Sequence, residues 1–383
     1  MIRKFLMFVA VFALAAAAHA NAVPQAAKAD LPPPKLTGKT WALLDYNTGW
    51  LLAQHEADEK IEPASLTKIM TAYVVFDELK KGTVKLDDKV HVSKKAWKTG
   101  GSRMFIEVNT DVTVENLLKG LIIQSGNDAA VALAEHVAGT EDAFVARMND
   151  YAKKLGLTNT HFSNATGLPH PDHYSTARDL SILTADLIRK FPEYYKWYAV
   201  REFTYNGITQ QNRNLLLGRD PSVDGVKTGY TEKAGYCLVG SAKKDGMRLI
   251  ATVTGTDSKI QRAEEVHALL KYGFASYESK LLFDGGKPAA RVPVYKGKQD
   301  NVTLAVERPL YITVAKGKEP ELKADLVVPD STMAPVHSGE ALGKVRVTLA
   351  GKDLMDAPLV AMNSIDRGTW WQVAVDSVLL WFR

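Results

Sequence analysis

The hydrophobic pattern of residues 36–285 changes from strand-like to helix-like and back along the chain. Two short apolar runs flank Tyr46-Asn47-Thr48-Gly49, which predicts a hairpin over 41–53. After Pro63, apolar side chains recur every three or four residues, which predicts a long helix with Ser65 at its start. Later segments predict helices over 113–123, 127–138, 142–155, 176–190 and 258–277, and strands over 223–254. Separate blocks of strands and helices are typical of an α+β domain, in which helices pack against an antiparallel sheet.

The pattern changes near Gly285-Gly286. Short alternating runs follow, separated by Gly, Pro, Asp and Lys, at 291–295, 302–306, 311–315, 323–328 and 345–350. They have no helical spacing, so they predict a small all-β sandwich. The predicted division is therefore an α+β domain over 36–285 and a β-sandwich domain over 286–363.

The last segment, 364–383, has the pattern of an amphipathic helix. One stripe of this helix is polar and consists of Gln372, Asp376 and Arg383. The opposite stripe is aromatic and aliphatic and consists of Trp371, Val375, Val378 and Phe382. Crossing a bilayer needs about 20 apolar residues, so this helix is too short to span one. Its aromatic side chains favour a position in the lipid headgroup layer. The alternative is a final helix that docks on its own domain.

The first 20 residues are typical of a secretory signal peptide. Arg3 and Lys4 precede an apolar run over 5–18, and Ala18-His19-Ala20 fits a cleavage site, with Ala22 as the alternative. An uncleaved membrane anchor is the other interpretation. Residues 21–35, rich in Ala and Pro, predict a flexible leader. The chain has one cysteine, Cys237, which cannot form an intramolecular disulfide and lies in an apolar run typical of a buried strand.

The composition is that of an ordinary globular protein, with 46% hydrophobic and 24% charged residues. The formal net charge of +5 is small and spread along the chain, with no basic block interleaved with aromatic residues. Nucleic acid is therefore not an expected partner.

Three short motifs carry the candidate chemistry: Ser65-Leu66-Thr67-Lys68, Ser125-Gly126-Asn127 and Lys227-Thr228-Gly229. A serine hydroxyl is a weak nucleophile until a base lies within hydrogen-bond reach of it. Positions i and i+3 share a helix face, so Lys68 lies one turn from Ser65. A second lysine in a partly dry site lowers the pKa of the first, which can then act as the base.

Each motif alone is weak evidence, because two of them occur twice. Ser241-Ala242-Lys243-Lys244 repeats the first pattern where a predicted strand enters a turn, and Lys98-Thr99-Gly100 repeats the third in a predicted surface loop. The second of these copies also precedes Ser125, which is the wrong order. Lys227 instead opens a predicted strand at the edge of a sheet, where a substrate backbone can dock.

In this order the motifs resemble those of low-molecular-mass penicillin-binding proteins, the serine D-alanyl-D-alanine carboxypeptidases of peptidase family S11. The similarity extends over nearly the whole mature chain and includes Pro63-Ala64, His161-Phe162-Ser163-Asn164 and Tyr174-Ser175-Thr176-Ala177-Arg178-Asp179-Leu180. It implies a penicillin-recognising α+β domain, followed by the β-sandwich domain and the terminal amphipathic helix. It also implies peptidoglycan stem peptides as substrates, β-lactams as covalent inhibitors, and no metal or cofactor.

The resemblance assigns Ser65, Lys68 and Ser125 as catalytic residues. Ser65 is the acylated nucleophile, Lys68 the base, and Ser125 the proton carrier to the leaving amine. Residues with a substrate-binding role are Asn127, Lys227, Thr228, Gly229, Tyr230 and Arg262. In these roles Asn127 holds Lys68 and the substrate amide, and Lys227 supplies positive potential.

The remaining roles concern the substrate backbone and its carboxylate. Thr228 bonds the carboxylate, and Gly229 lets the substrate backbone approach the strand. The backbone N–H groups of Ser65 and Tyr230 form the oxyanion hole, while some relatives carry histidine at the latter position. Arg262 grips the terminal carboxylate, with Arg248 as the alternative.

The predicted function is removal of the terminal D-alanine from peptidoglycan pentapeptide stems. The alternatives are a D,D-endopeptidase, a β-lactamase, or a catalytically silent scaffold that binds peptidoglycan. Against a β-lactamase, the segment 162–179 holds no glutamate to serve as a deacylating base. The predicted location is the periplasmic face of the bacterial inner membrane, with peripheral attachment through the terminal helix.

Overall fold

The computed structural model describes residues 29–382. The predicted signal peptide at 1–20, its cleavage site at Ala20 or Ala22, and Arg383 lie outside the described residues. The described end of the predicted leader contacts the fold, since the hydroxyl of Tyr272 donates to the carbonyl of Leu31 at 3.1 Å.

The helices are α1 Lys68–Lys81, α2 Lys94–Lys98, α3 Val114–Lys119, α4 Asn127–Ala138, α5 Glu141–Lys154, α6 Ala177–Lys190, α7 Pro192–Tyr195, α8 Lys259–Ser276 and α9 Trp370–Leu379. Most of the predicted helices are present, with ends shifted by a residue where a side chain caps the first turn. The hydroxyls of Thr140, Thr176 and Ser258 accept from the third residue of α5, α6 and α8. Each cap satisfies a backbone N–H that the helix itself leaves without a partner.

The strands are β1 Thr40–Asp45, β2 Leu51–His55, β3 Lys89–His91, β4 Asp111–Thr113, β5 Glu202–Tyr205, β6 Ile208–Gln211, β7 Val223–Thr231, β8 Gly235–Lys244, β9 Met247–Thr256, β10 Tyr277–Phe283, β11 Ala290–Tyr295, β12 Asn301–Ala305, β13 Leu310–Ala315, β14 Leu322–Val327, β15 Thr332–Met333, β16 Ala341–Leu349 and β17 Lys352–Ala361. Of these, β2, β1, β9, β8 and β7 form an antiparallel sheet in that order, with β7 at an edge.

Alternate side chains of the central sheet point to two different cores, as the pleat of a strand requires. On β9, Leu249 and Val253 pack with α8 residues such as Leu270, whereas Ile250 packs with α1, α4 and α6. The sheet thus lies between α8 and the larger helical layer, which confirms the predicted α+β architecture. Its edge strand β7 is left beside the turn that leads into α1.

The C-terminal region is all β, as predicted. A six-stranded sheet has the order β14-β16-β17-β12-β11-β15, and β10 pairs with β13 in a second sheet. Buried side chains between them include Val302, Ile312, Val345 and Leu359. The β1–β2 turn touches this region, because Thr48 Oγ1 lies 3.1 Å from Thr313 Oγ1.

Local geometry differs from the predictions at both serine motifs. Ser65 lies in a 3₁₀ turn, Ala64–Thr67, and α1 begins only at Lys68. The helix predicted over 113–123 ends at Lys119 and continues as a π-helical turn, Gly120–Gln124. The sequence pattern also missed the hairpin β5–β6 and the strands β10 and β17. The strands β5 and β6 are short and mostly exposed, β10 pairs with the distant strand β13, and β17 contains Pro358, so none of them has a clear strand pattern.

Candidate active site

Ser65 and Lys68 are held together by the 3₁₀ turn before α1. The Nζ of Lys68 lies 3.0 Å from the Oγ of Ser65, 2.7 Å from Asn127 Oδ1 and 2.6 Å from the carbonyl oxygen of Thr166. A neutral amine has two hydrogens and one lone pair. It can therefore donate to Asn127 and Thr166 while its lone pair accepts the Ser65 hydroxyl proton.

The environment of Lys68 favours that neutral amine. The side chain is 1% exposed, and burial lowers its pKa from 10.5 to about 7, with the positive charge of Arg213 as the next cause. The carboxylate of Asp128 acts in the opposite direction. A base whose pKa lies near the working pH is best suited to remove a proton from the serine.

Ser125 lies directly before α4 in a left-handed backbone conformation, with φ of 63°. Its Oγ is buried and has no hydrogen-bond partner in the described part of the chain. A buried hydroxyl without a partner costs free energy, and such groups are uncommon enough to require an explanation. This one lines the cleft beside Ser65, where a substrate would supply the missing partner.

Asn127 connects Lys68 to a loop on the opposite wall of the cleft. Its Oδ1 accepts from Lys68, its Nδ2 donates to the carbonyl of Gly100 at 2.7 Å, and its backbone N donates to Ser102 O at 2.7 Å. Gly100 belongs to the second Lys-Thr-Gly copy, which lies at the surface as predicted but begins at the last residue of α2 and enters the loop only after it. That copy therefore supports the site through a backbone carbonyl.

The same loop is fixed by Asp128, which is 1% exposed. Its carboxylate accepts from the backbone N–H groups of Met104, Phe105 and Ile106 at 3.0, 2.9 and 3.3 Å. Phe105 has a φ of 68°, yet its side chain is 46% exposed. Residues 104–106 beside the cleft are thus held by backbone bonds to one carboxylate, with Phe105 exposed and the side chains of Met104 and Ile106 buried in the core.

Lys227 lies on β7, is 3% exposed, and donates to the carbonyl of Thr228 at 3.1 Å. Burial and the nearby charges of Lys68, Arg213 and Arg262 hold the pKa of Lys227 well below its usual value. The guanidiniums of Arg213 and Arg262 stay protonated and supply fixed positive charge to the site.

Arg213 is the main site residue that the sequence pattern missed. It lines the cleft and follows the hairpin β5–β6 in the polar stretch Gln210-Gln211-Asn212-Arg213. Partial burial lowers its own pKa, and its charge lowers the pKa of Lys68 and Lys227. A single arginine in a polar stretch has no spacing signal that would single it out.

Gly229 also has a packing role that the sequence did not suggest. A Cβ at this position would lie 3.1 Å from Pro63 O, 3.2 Å from Leu66 Cγ and 3.3 Å from Ala64 Cβ. The missing side chain thus lets β7 pack closely against the turn that carries Ser65. Its effect is to bring the strand and the nucleophile together.

The two candidate arginines occupy different places. Arg262 is 4% exposed, donates to the carbonyl of Gly229 at 3.0 Å and lines the cleft; burial lowers its pKa to about 10. Arg248 instead forms two 2.7 Å bonds with the carboxylate of Asp224 and donates to Ser241. Only Arg262 is positioned to meet a ligand in the cleft.

Tyr230 lies at the mouth of the cleft, with a half-exposed ring 4.4 Å from the ring of Tyr236. Ser241, the serine of the repeated motif, is buried in β8, and Lys243 and Lys244 beside it are exposed. This confirms the prediction that the repeat lies where a strand enters a turn.

The segment 163–168 forms a second support for Lys68 that sequence reasoning did not find. Thr166 supplies the carbonyl for Lys68, and Gly167, with φ of 83°, lies so close that a Cβ would be 1.8 Å from Ala64 O. His173 links this segment to the turn, accepting from Ser163 N at 3.1 Å and lying 2.7 Å from Thr67 Oγ1.

Because the Nδ1 of His173 accepts a backbone hydrogen, its Nε2 carries the proton and donates to Thr67. Burial and the neighbouring His161 lower the pKa of His173 to about 4. The ring therefore stays neutral at physiological pH and holds the two segments together.

The cleft has a volume of about 820 Å³. Of the predicted site residues, it is lined by Ser65, Ser125, Asn127, Thr228, Gly229, Tyr230 and Arg262. Lys68 and Lys227 are buried behind this lining. Within residues 29–382, no group of three or more His, Cys, Asp or Glu side chains is arranged to hold a metal ion.

Comparisons with known proteins agree over both regions. A family model described as D-alanyl-D-alanine carboxypeptidase (Peptidase_S11) matches residues 25–258, and one described as penicillin-binding protein 5, C-terminal domain, matches 277–367. D-alanyl-D-alanine carboxypeptidase DacA of Haemophilus influenzae is 43% identical over 339 residues, which are 87% of this chain and 86% of the relative. DacA of Escherichia coli K12 is 40% identical over 358 residues, 91% and 89% of the two chains.

Solved structures are similar as well. Penicillin-binding protein 5 from Haemophilus influenzae has a TM-score of 0.84 and 42% identity, over 88% of this chain and all of that one. Penicillin-binding protein D2 from Listeria monocytogenes in the ampicillin-bound form has a TM-score of 0.59 and 30% identity, over 64% of this chain and all of that one.

Proposed function

Because the chain belongs to peptidase family S11, the D-alanyl-D-alanine carboxypeptidases, we propose that Ser65 attacks the peptide bond between the two terminal D-alanines of a peptidoglycan stem. The chain is a serine-type D-alanyl-D-alanine carboxypeptidase. The observation that carries the assignment of Ser65 is its 3.0 Å contact with Lys68, whose pKa burial lowers to about 7.

In acylation, the Ser65 hydroxyl proton moves to the Lys68 amine as Oγ bonds to the carbonyl carbon of the penultimate D-alanine. The resulting oxyanion lies between the backbone N–H groups of Ser65 and Tyr230. By analogy with measured oxyanion holes, each donor contributes about 3–4 kcal/mol to the transition state.

The bond to the leaving nitrogen then breaks. Ser125 passes the proton from Lys68 to that nitrogen, so D-alanine leaves as an amine and Ser65 stays acylated. The buried Ser125 hydroxyl without a partner supports this role, since it has free hydrogen-bonding capacity toward the cleft. In deacylation, a water molecule gives a proton to Lys68 while its oxygen bonds to the acyl carbon. The shortened stem then leaves as Ser65 regains its hydrogen.

The terminal carboxylate binds in the positive part of the cleft. Thr228 donates its hydroxyl to it, and Arg213 and Arg262 supply charge from opposite walls. Arg262 also fixes β7 through the carbonyl of Gly229. A requirement for a free carboxylate explains why the last residue is the one removed.

β-Lactams would acylate the same serine. Penicillin-binding protein D2 of Listeria monocytogenes, a structural relative, is described in an ampicillin-bound form. A fluorescent penicillin should label the wild type and Ser241→Ala equally and should not label Ser65→Ala. Label on the Ser241 peptide would refute the assignment.

The carboxypeptidase and the endopeptidase differ only in the amide bond they cleave. Incubation with a pentapeptide muropeptide should release one alanine per stem by mass, while the cross-linked dimer should remain intact. Rapid loss of penicillin label from the wild type would instead favour a β-lactamase.

The terminal helix α9 supports peripheral attachment to the outer face of the inner membrane. One residue of its polar stripe, Asp376, binds the β domain by accepting from the backbone N of Lys296, and Thr369 and Gln372 form a capping box at the start of the helix. Its aromatic residues are directed to solvent, with Trp370 73% and Trp371 63% exposed. Such an exposed aromatic face is typical of a helix that lies in the headgroup layer.

None of the helices within residues 29–382 has the length and hydrophobicity to cross a bilayer.

Removing 368–383 should shift the protein from liposomes to the soluble fraction and leave peptide hydrolysis unchanged. Trp371→Asp should weaken liposome binding, while Gln372→Glu, a control on the polar stripe that keeps the acceptor oxygen of the capping box, should change it much less. A truncated protein that still sediments with liposomes would refute the anchor. The predicted signal peptide and this attachment together support the proposal that the enzyme acts in the periplasm.

A further inference from the structure

A second cavity, of about 370 Å³, lies at the end of the central sheet where β7 ends. Its walls come from Lys39 before β1, Thr254 on β9, the turn with Lys233, and the segments 59–62 and 170–174. Residues 59–62 directly precede the turn that carries Ser65. The cavity is therefore a neighbour of the catalytic cleft along the chain and along β7.

Thr231 connects the two cavities. It lines the catalytic cleft, and its hydroxyl donates to Glu62 Oε2 at 3.1 Å in the wall of the second cavity. The other oxygen of Glu62 lies 2.9 Å from Lys233 Nζ. The charge of Glu62 is thus neutralised by Lys233, and the pair is fixed to the end of β7.

The other charged side chains of the cavity have no such compensation. Among residues 29–382, neither Lys39 nor Lys60 has a carboxylate oxygen within 4.0 Å of its Nζ. The Nζ of Lys60 lies 4.1 Å from the centroid of the Tyr174 ring. Glu59 is the opposing charge. Beyond the internal ion pair, two lysines therefore face one glutamate, and the cavity favours an anionic group.

The direction of the substrate along β7 leads to this cavity. The terminal carboxylate lies at Thr228 and the scissile carbonyl at the N–H of Tyr230, so upstream residues continue toward Thr231 and Lys233. Extended chains advance about 3.3 Å per residue, which places Thr231 about 10 Å from Thr228. The fourth residue from the substrate's C-terminus therefore reaches the cavity.

We propose that this cavity is a subsite for a carboxylate carried by the fourth residue from the C-terminus of the substrate peptide, bound by Lys39 and Lys60. The proposal rests on the proposed function, because that function sets the direction of the peptide. It makes the enzyme selective for stems with a free carboxylate at that residue over stems in which it is amidated.

The test uses two peptides, acetyl-γ-D-glutamyl-(Nε-acetyl)-L-lysyl-D-Ala-D-Ala with the α-carboxylate free, and the same peptide with a carboxamide there. The wild type at low salt should prefer the carboxylate by roughly fivefold in kcat/KM, as expected for contacts of partly exposed charges. Lys39→Gln and Lys60→Gln should each reduce that ratio, and Glu59→Gln should increase it. Lys243→Gln, a charge removal outside the cavity, should not change it.

The same ratio is measured for binding, as dissociation constants of the two peptides for the Ser65→Ala protein. This keeps the subsite separate from the chemistry, since binding needs no nucleophile. A ratio near one in the binding experiment, or one that Lys39→Gln and Lys60→Gln leave unchanged, overturns the subsite. Loss of hydrolysis and of penicillin labelling in the wild type, with the binding ratio intact, overturns the proposed catalytic role instead.

Discussion

Replacing Arg213 by glutamine should raise the pH at which acylation reaches half of its maximum. With a pKa of about 7, half of the Lys68 side chains are neutral at pH 7. With the ordinary lysine pKa of 10.5, only about 3 in 10,000 would be neutral at that pH. Burial causes most of this difference, and the charge of Arg213 is the second cause. Removing a positive neighbour favours the protonated amine, so the pKa of Lys68 should rise, by about one unit for a single charge.

That rise lowers the neutral fraction at pH 7 from about one half to about one tenth, a roughly fivefold loss. The second-order rate of labelling by a fluorescent penicillin, measured from pH 5.5 to 9.5, should show this loss at pH 7 and little loss at the upper end. Arg219→Gln, an exposed arginine outside the cleft, is the control. An equal loss at every pH with an unchanged midpoint would show that Arg213 only binds the carboxylate, and would refute the electrostatic argument.

Three further predictions concern the supports of the nucleophile. Lys68→Ala should abolish penicillin labelling, whereas Lys227→Arg should retain part of it, because the charge is kept in an altered shape. The folded pKa of His173 is about 4 against 6.5 unfolded, so the unfolded chain binds the extra proton and stability should fall as pH drops from 6.5 to 4. His173→Gln should remove up to about 3 kcal/mol of that fall in the free energy of unfolding. Gly167→Ala should lower the Tm and the acylation rate, at a cost of roughly 1–3 kcal/mol or more, while Gly82→Ala, with open space around it, should lower the Tm less and leave acylation intact.

The parts of the fold that the sequence predicted are those with strong local signals. The helices after Pro63 and Thr176 have regular apolar spacing, the first ends at Gly82 and the second begins with a capping hydroxyl, and the order of the three motifs distinguished Ser65 from Ser241. Motif order is informative because chance matches such as Lys98-Thr99-Gly100 do not keep it. The α+β domain followed by an all-β domain could be predicted for the same reason.

The parts that could not be predicted depend on contacts between distant segments. The Thr166 carbonyl that accepts from Lys68 is a backbone atom, so no residue type marks it. Arg213 lies at the cleft because it follows the hairpin β5–β6. The strands of that hairpin are too short to give a clear sequence pattern. The packing of Gly229 against the turn before α1 could not be predicted, because Pro63, the neighbour of its missing Cβ, is far away in the sequence.

The way in which Asp128 holds the loop opposite Ser65 also bears on how this enzyme can evolve. One carboxylate accepts from three backbone N–H groups of residues 104–106, and a substitution at Phe105 leaves every one of those bonds in place. The exposed side chain at Phe105 can thus change without loss of these bonds, so the sequence can vary beside the cleft while catalysis is preserved. Asp128 has no such freedom, because its loss would remove all three bonds to residues 104–106 at once and leave only the bonds from Asn127 to Gly100 and Ser102.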